Sequence, residues 1–210
     1  MPPSQFIPIA EDVGLISELT YHLLRQACTD AKAWPSHMVL SLNIAPSQLK
    51  DRRLPERVLG ILTETGFAPG RLEIELTENA LLDDLEAARV VLGSLRNIGV
   101  RIVLDDFGTG YSSLNHLREL QFDKIKIDRS FVQTMHDHDE SRKIIDAILS
   151  LGQSLGLPTT AEGIEDEEHL AWLAQHGCTY GQGFLFGKAV PAREVLACLA
   201  GDARDARRTA

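Results

Sequence analysis

No run of eighteen or more apolar residues occurs in the 210-residue chain, which excludes a helical membrane span. The opening stretch "MPPSQFIPIAEDVG" has neither the basic start nor the apolar centre of a secretory signal. Cysteine is scarce: Cys28, Cys178 and Cys198 are odd in number, far apart and without a CxxC pair. That excludes a disulfide framework and reads as buried free thiols in a reducing cytoplasm. Positive charge is short as well, with 21 Lys and Arg against 30 Asp and Glu for a net charge of −9. Binding to polymeric nucleic acid needs clustered Lys and Arg, so that class of partner is excluded. An anionic ligand would need a local source of positive charge, and bound cations are one such source.

What is present is a rhythm. Short apolar runs at 38–45, 71–77, 101–106, 122–128, 157–163 and 180–186 alternate with amphipathic stretches at 11–29, 47–65, 79–98, 112–120, 141–155, 165–176 and 192–199. Strands alternating with helices at this spacing predict βα units around a parallel sheet. Gly66, Gly99, Gly156 and Gly177 each follow a helical stretch, where a left-handed terminal residue is wanted. Ser47, Asn79, Ser112, Ser141 and Asp166 stand near helix starts as caps. The segment "MHDHDE" at 135–140 reads as a solvated loop, and "GDARDARRTA" at 201–210 as a disordered tail behind a domain at 1–200. Trp34 and Trp172 are expected to pack between helices and sheet.

Six apolar runs allow an open doubly wound sheet or a (β/α) barrel. The first usually carries a glycine-rich phosphate turn after its first strand. Here that strand ends "LNIAPSQL", with no glycine. The strand ends decide for the barrel. Asn43, Glu75, Asp105 with Asp106, Lys126 with Asp128, Glu162 and Gln182 stand at or near the C-terminal ends of the six runs. In a barrel those ends converge on one mouth, where such folds place their chemistry. Any one of these carboxylates alone is more often a cap or a surface ion pair. Six in phase predict a shared site.

Residue type narrows the chemistry. Apart from Lys126, the set offers oxygen donors and no His or Cys, which suits hard divalent cations. The adjacent Asp105 and Asp106 repel one another unless cations lie beside them, and a carboxylate bridging two ions fits two-metal phosphoryl chemistry. Lys126 would orient a water or stabilise developing phosphoryl charge. The glycine-rich stretch 107–113 reads as a loop at the mouth.

The segments "FIPIAEDVGLI", "LSLNIAPSQL", "LEIELTENALL", "IVLDDFGTGYSSL", "FDKIKIDRSFV", "TTAEGIE" and "GQGFLFGKAV" resemble, in order and spacing, the EAL domain family of bacterial cyclic di-GMP phosphodiesterases. The resemblance covers residues 4 to 199 and implies a modified TIM barrel with one antiparallel strand. It implies hydrolysis of cyclic di-GMP to linear pGpG with two Mg²⁺ or Mn²⁺ ions. Carried over by motif, Asn43, Glu75, Asp105 and Asp106 are metal ligands, and Glu162 holds metal or its water. Lys126 steadies the attacking water, and Gln182 completes the substrate pocket. Glu78 anchors the loop carrying "DFGTGYSS". Homodimerisation is also implied, as is a longer parent with a diguanylate cyclase-type or sensory domain. An unrelated metal-dependent barrel enzyme such as an aldolase fits the strand ends but not the seven segments.

The family's Glu-Ala-Leu segment belongs on a strand before "FIPIAE", with an arginine close behind, and neither falls within these residues. The expectation is therefore a fragment lacking the first two barrel strands. A non-catalytic cyclic di-GMP-binding or protein-interaction module is the alternative.

Overall fold

The computed structural model describes residues 2–81, 84–109, 117 and 119–205. Two N-terminal helices, α1 (Pro3–Asp12) and α2 (Ile16–Ala31), precede β1 (Leu40–Asn43). Then come α3 (Leu54–Thr65), β2 (Leu72–Thr77), α4 (Leu85–Ile98), β3 (Arg101–Phe107) and β4 (Lys124–Ile127). The chain continues through α5 (Arg129–Thr134), α6 (Asp139–Leu155), β5 (Thr159–Glu162), α7 (Glu167–Gln175), β6 (Tyr180–Gln182) and α8 (Ala192–Asp205). The strands form one parallel sheet in chain order, β1 to β6. This is the TIM-like architecture, curled but not closed: among the described residues β1 and β6 are edges.

Period-two alternation builds two faces from each strand. In β2, Leu72, Ile74 and Leu76 are fully buried, as are Ile102 and Leu104 of β3 and Ile125 and Ile127 of β4. They form the core with Leu24, Leu54, Leu92, Leu95 and Ile145 of the helices. The opposite face of the same strands is charged and stacks in layers. In the lower layer Glu73 Oε2 accepts from Lys124 Nζ at 2.7 Å, and Arg101 lies 3.4 Å from Glu73. The upper layer holds Glu75 and Lys126, paired at 2.7 Å.

Local signals explain most boundaries. Gly66, Gly99 and Gly156 end α3, α4 and α6 in the left-handed conformation, at φ 67°, 99° and 68°. Asp166 caps α7 by accepting from His169 N. Other expectations are corrected. The caps of α4 and α5 are Asp84 and Asp128, not Asn79. Ser141 lies inside α6, which starts at Asp139. The stretches 47–65 and 79–98 each open with a short 3₁₀ turn before the α-helix begins. The expected helix at 11–29 is two helices, broken at Gly14 with φ 73°.

Helix α8 runs to Asp205, so the first part of the expected disordered tail is helical, and 206–210 lie outside the described residues. Ser112 and most of the expected loop and helix at 107–120 also lie outside the described residues. All three cysteines are free, but only Cys28 is buried; Cys178 is half-buried and Cys198 exposed. Trp34 and Trp172 pack against the core. None of the described helices is long and apolar enough to cross a membrane.

Candidate active site at the strand ends

The upper layer is organised by Lys126. Its Nζ lies 2.6 Å from Glu162 Oε1, 2.7 Å from Glu75 Oε2 and 3.2 Å from Asp105 Oδ2. Strands β2 to β5 thus converge on one ammonium. Burial disfavours the charge on Lys126, yet Glu75 and Asp105 outweigh it and hold the proton on more tightly than usual. Burial also pushes Asp105 and Glu162 up, opposed in both cases by Lys126.

Asp106 stands where the strand is irregular. The register between β3 and β4 shifts between Leu104 and Phe107, and Asp106 adopts φ 53°, a conformation that Asp tolerates better than most residues. In a regular strand Asp105 and Asp106 would face opposite sides. The irregularity brings both to the mouth, with Asp106 N donating to Asp105 Oδ1 at 3.0 Å. Burial, and then the charge of Asp105, push the Asp106 carboxyl up to about 6. Its side chain also shares a hydrogen bond with Asp128. Burial raises Asp128, but the Ser130 hydroxyl and amide more than compensate, and its carboxyl titrates below the usual range.

Donor oxygens of Asp105, Asp106 and Glu162 lie within 4.8 Å of one another. Three carboxylates this close, one of them driven toward protonation, form an oxygen-only set that fits a hard divalent cation.

The remaining predicted residues sit around this centre. Glu78, 1% exposed, accepts from Gly108 N through Oε2 at 3.2 Å, tying the end of β2 to the start of the glycine-rich loop. Among the described residues its Oε1 is buried without a partner. Gln182, the register partner of Glu162, is exposed and lines a 210 Å³ cleft with Arg129, Gln133, Glu162 and Phe184. Asn43 is the register partner of Glu75 but lies on the edge strand, is exposed, and lines a separate cleft with Ile44 and Thr77. The structure therefore gathers Glu75, Asp105, Asp106, Lys126 and Glu162, with Asn43 and Gln182 at the two flanks.

Arg129 and Gln133, on the wall of the Gln182 cleft, were missed by the strand-end argument because they belong to helix α5. The lower Glu73–Lys124 pair was missed too, although the alternation of "RLEIELT" and "FDKIKID" carried its signal.

With this geometry in place the comparisons are decisive. The profile of the EAL domain matches residues 1–189. The chain belongs to the EAL domain family. A signalling protein of Caulobacter vibrioides is 47% identical over 91% of this chain and 24% of its own length. The cyclic di-GMP phosphodiesterase RocR of Pseudomonas aeruginosa is 35% identical over 93% of this chain and 51% of its own. Among solved structures, the MucR phosphodiesterase in complex with c-di-GMP superimposes with a TM-score of 0.89 at 36% identity, covering 93% of this chain and 81% of that one. The chain thus spans a quarter to a half of the length of these two curated relatives.

Proposed function

We propose that this EAL domain hydrolyses cyclic di-GMP to linear pGpG, using two divalent cations, Mg²⁺ or Mn²⁺. The observation that carries the reading is the convergence of Glu75, Asp105 and Glu162 on Lys126, with Asp106 turned into the same mouth. The names of RocR and MucR, both phosphodiesterases, support the same substrate.

Asp105, Asp106 and Glu162 would hold the cations, with Glu75 and Asn43 alongside; when bound, these supply Lewis-acid charge at the phosphoryl group. The chain's own groups divide the remaining tasks. Lys126 is locked in its protonated form by its carboxylate neighbours, so at neutral pH it is a donor and a fixed positive charge, not a base. Glu162, 2.6 Å from that ammonium, would hold a cation or its bound water beside it. Gln182, on the wall of the adjoining cleft with Arg129, is placed to meet the dinucleotide. Glu78 holds the start of the loop at Gly108 and so fixes the strand end that carries Asp105 and Asp106.

The test is incubation of the chain with cyclic di-GMP and Mg²⁺ or Mn²⁺, with pGpG followed by chromatography. The expected result is cation-dependent turnover that falls by about 100-fold or more in Asp105→Asn. A second reading, a module that binds cyclic di-GMP or a protein without turnover, is favoured by the exposure of Asn43 and Gln182 on the open edges. Saturable ligand binding by a folded chain that yields no pGpG would establish it instead.

A further inference from the structure

Away from the mouth, two histidines that the sequence places in separate segments meet. His136 follows α5 and His169 lies in the first turn of α7, and their rings stack at 4.3 Å between centroids, 21° from parallel. The segment 135–140 is therefore not a fully solvated loop. His169 is 7% exposed, and among the described residues its buried Nε2 has no partner. The Nε2 of His136 is buried and unpartnered as well. Asp166 completes the group: one carboxylate oxygen caps α7 through His169 N at 2.8 Å. The other lies 2.9 Å from His169 Nδ1, without the alignment of a hydrogen bond. Glu168 Oε1 stands 3.5 Å from His136 Nδ1.

Buried imidazole nitrogens ordinarily find a donor or acceptor. Here several lack one, on two rings pressed together beside a carboxylate. We propose that His136, His169 and Asp166 form a second cation site, separate from the mouth, for a borderline divalent ion such as Zn²⁺. One donor atom from each residue already lies within 4.8 Å of the others. Four-coordinate zinc with bonds of 2.0–2.1 Å wants donors about 3.3 Å apart, so a tilt of the rings and a swing of the exposed Asp166 carboxylate close the site. Glu168 is in reach as a fourth ligand. Imidazole favours zinc and its neighbours, whereas Mg²⁺ and Mn²⁺ prefer the all-oxygen mouth, so the two sites select different ions.

The position gives such an ion a consequence. His136 follows the helix capped by Asp128, the partner of Asp106. Asp166 stands on the loop that leaves β5 after Glu162. A hydrogen bond from Gln133 Nε2 to Glu165 Oε1, at 3.0 Å, joins α5 to the loop after β5 nearby. An ion held here staples the supports of Asp106 and Glu162 together from behind.

The experiment is calorimetric titration of the whole chain with Zn²⁺ in a large excess of Mg²⁺. One Zn²⁺ site is expected, weakened in His136→Gln and in His169→Gln by more than the about 10–100-fold that changes outside a ligand shell cost. Asp166→Asn keeps an amide oxygen to cap α7, so it should weaken Zn²⁺ while the circular dichroism spectrum is unchanged. Asp105→Asn, at the mouth, should leave the affinity as it is. No saturable Zn²⁺ binding, or binding unmoved by all three histidine-site variants, would overturn the proposal. So would loss of binding in Asp105→Asn, which would put the ion at the mouth.

Discussion

Lys126 Nζ lies 2.6 Å from Glu162 Oε1 across the step from β4 to β5, and that contact ties the acidic mouth to a buried positive charge. The same ammonium also faces Glu75 and Asp105. Lys126→Met removes the cation and leaves all three carboxylates in place. Breaking a buried pair in this way should cost about 3–5 kcal/mol in EDTA. Adding Mn²⁺ should recover part of the loss, because divalent charge replaces the ammonium. Urea unfolding with and without Mn²⁺ measures both effects. A variant as stable as the parent in EDTA would mean that the carboxylates do not depend on Lys126 for balance.

Much of this centre could be read before any coordinates. Strand ends are legible because a polar side chain recurs, in phase from strand to strand, at the C-terminal end of each short run. Glu75, Asp105, Lys126, Glu162 and Gln182 each broke an apolar run in that way. The glycines at 66, 99 and 156 were legible because a left-handed helix end admits few alternatives. The turning of Asp106 was not, since a bulge depends on the register with the neighbouring strand. Nor was the stacking of His136 on His169, which requires the turn after α5 to meet the first turn of α7. Caps were ambiguous for a local reason: "SQL", "ENA" and "DDL" all offer suitable side chains within a few residues.

Gly183 follows Gln182 and packs against the backbone of Ile164. That residue donates its N–H to Gln182 O at 3.1 Å and accepts from Leu185 N at 3.1 Å. A Cβ at 183 would overlap the Ile164 carbonyl and amide. Because those groups are main chain and pinned by two bonds, no side-chain rotation relieves the clash. Gly183→Ala should therefore lower stability by about 3 kcal/mol or more, beyond the common range for single changes. Thermal unfolding followed by circular dichroism checks this, and a shift of under a degree would mean that the loop yields freely.

Glu78 ties the end of β2 to the residue that follows the two aspartates and Phe107. Its Oε2 holds Gly108 N, just beyond the two aspartates, while the side chain is buried. Glu78→Ala removes the acceptor of the Gly108 N–H, at about 1 kcal/mol, and frees the strand end. Glu78→Gln keeps the acceptor oxygen. Turnover of cyclic di-GMP should fall in the alanine variant through weaker Mn²⁺ dependence and return largely in the glutamine variant. Equal loss in both would point to a role for the carboxylate charge instead of the hydrogen bond.

Asp106 makes the stability of the cation-free chain depend on pH in an unusual direction. Its carboxyl is pushed up to about 6 in the fold, by burial first and by Asp105 second. In the unfolded chain an aspartate titrates near about 3.9. Between those two values the folded chain holds more protons, so stability is fully present below the lower one and declines as pH rises through the upper one. The shift corresponds to about 3 kcal/mol if taken whole, but the group is only half-buried, and solvent screening reduces it to about 1 kcal/mol. In EDTA, Asp106→Asn should accordingly stabilise the chain at pH 7.5 by about 1 kcal/mol and change it little at pH 4. Saturating Mn²⁺ should reverse the order, since the ionised carboxylate then has a cation to face. Urea midpoints at the two pH values, with EDTA or Mn²⁺, test the sign directly. An EDTA profile that is identical for the variant and the parent would show that Asp106 ionises without cost.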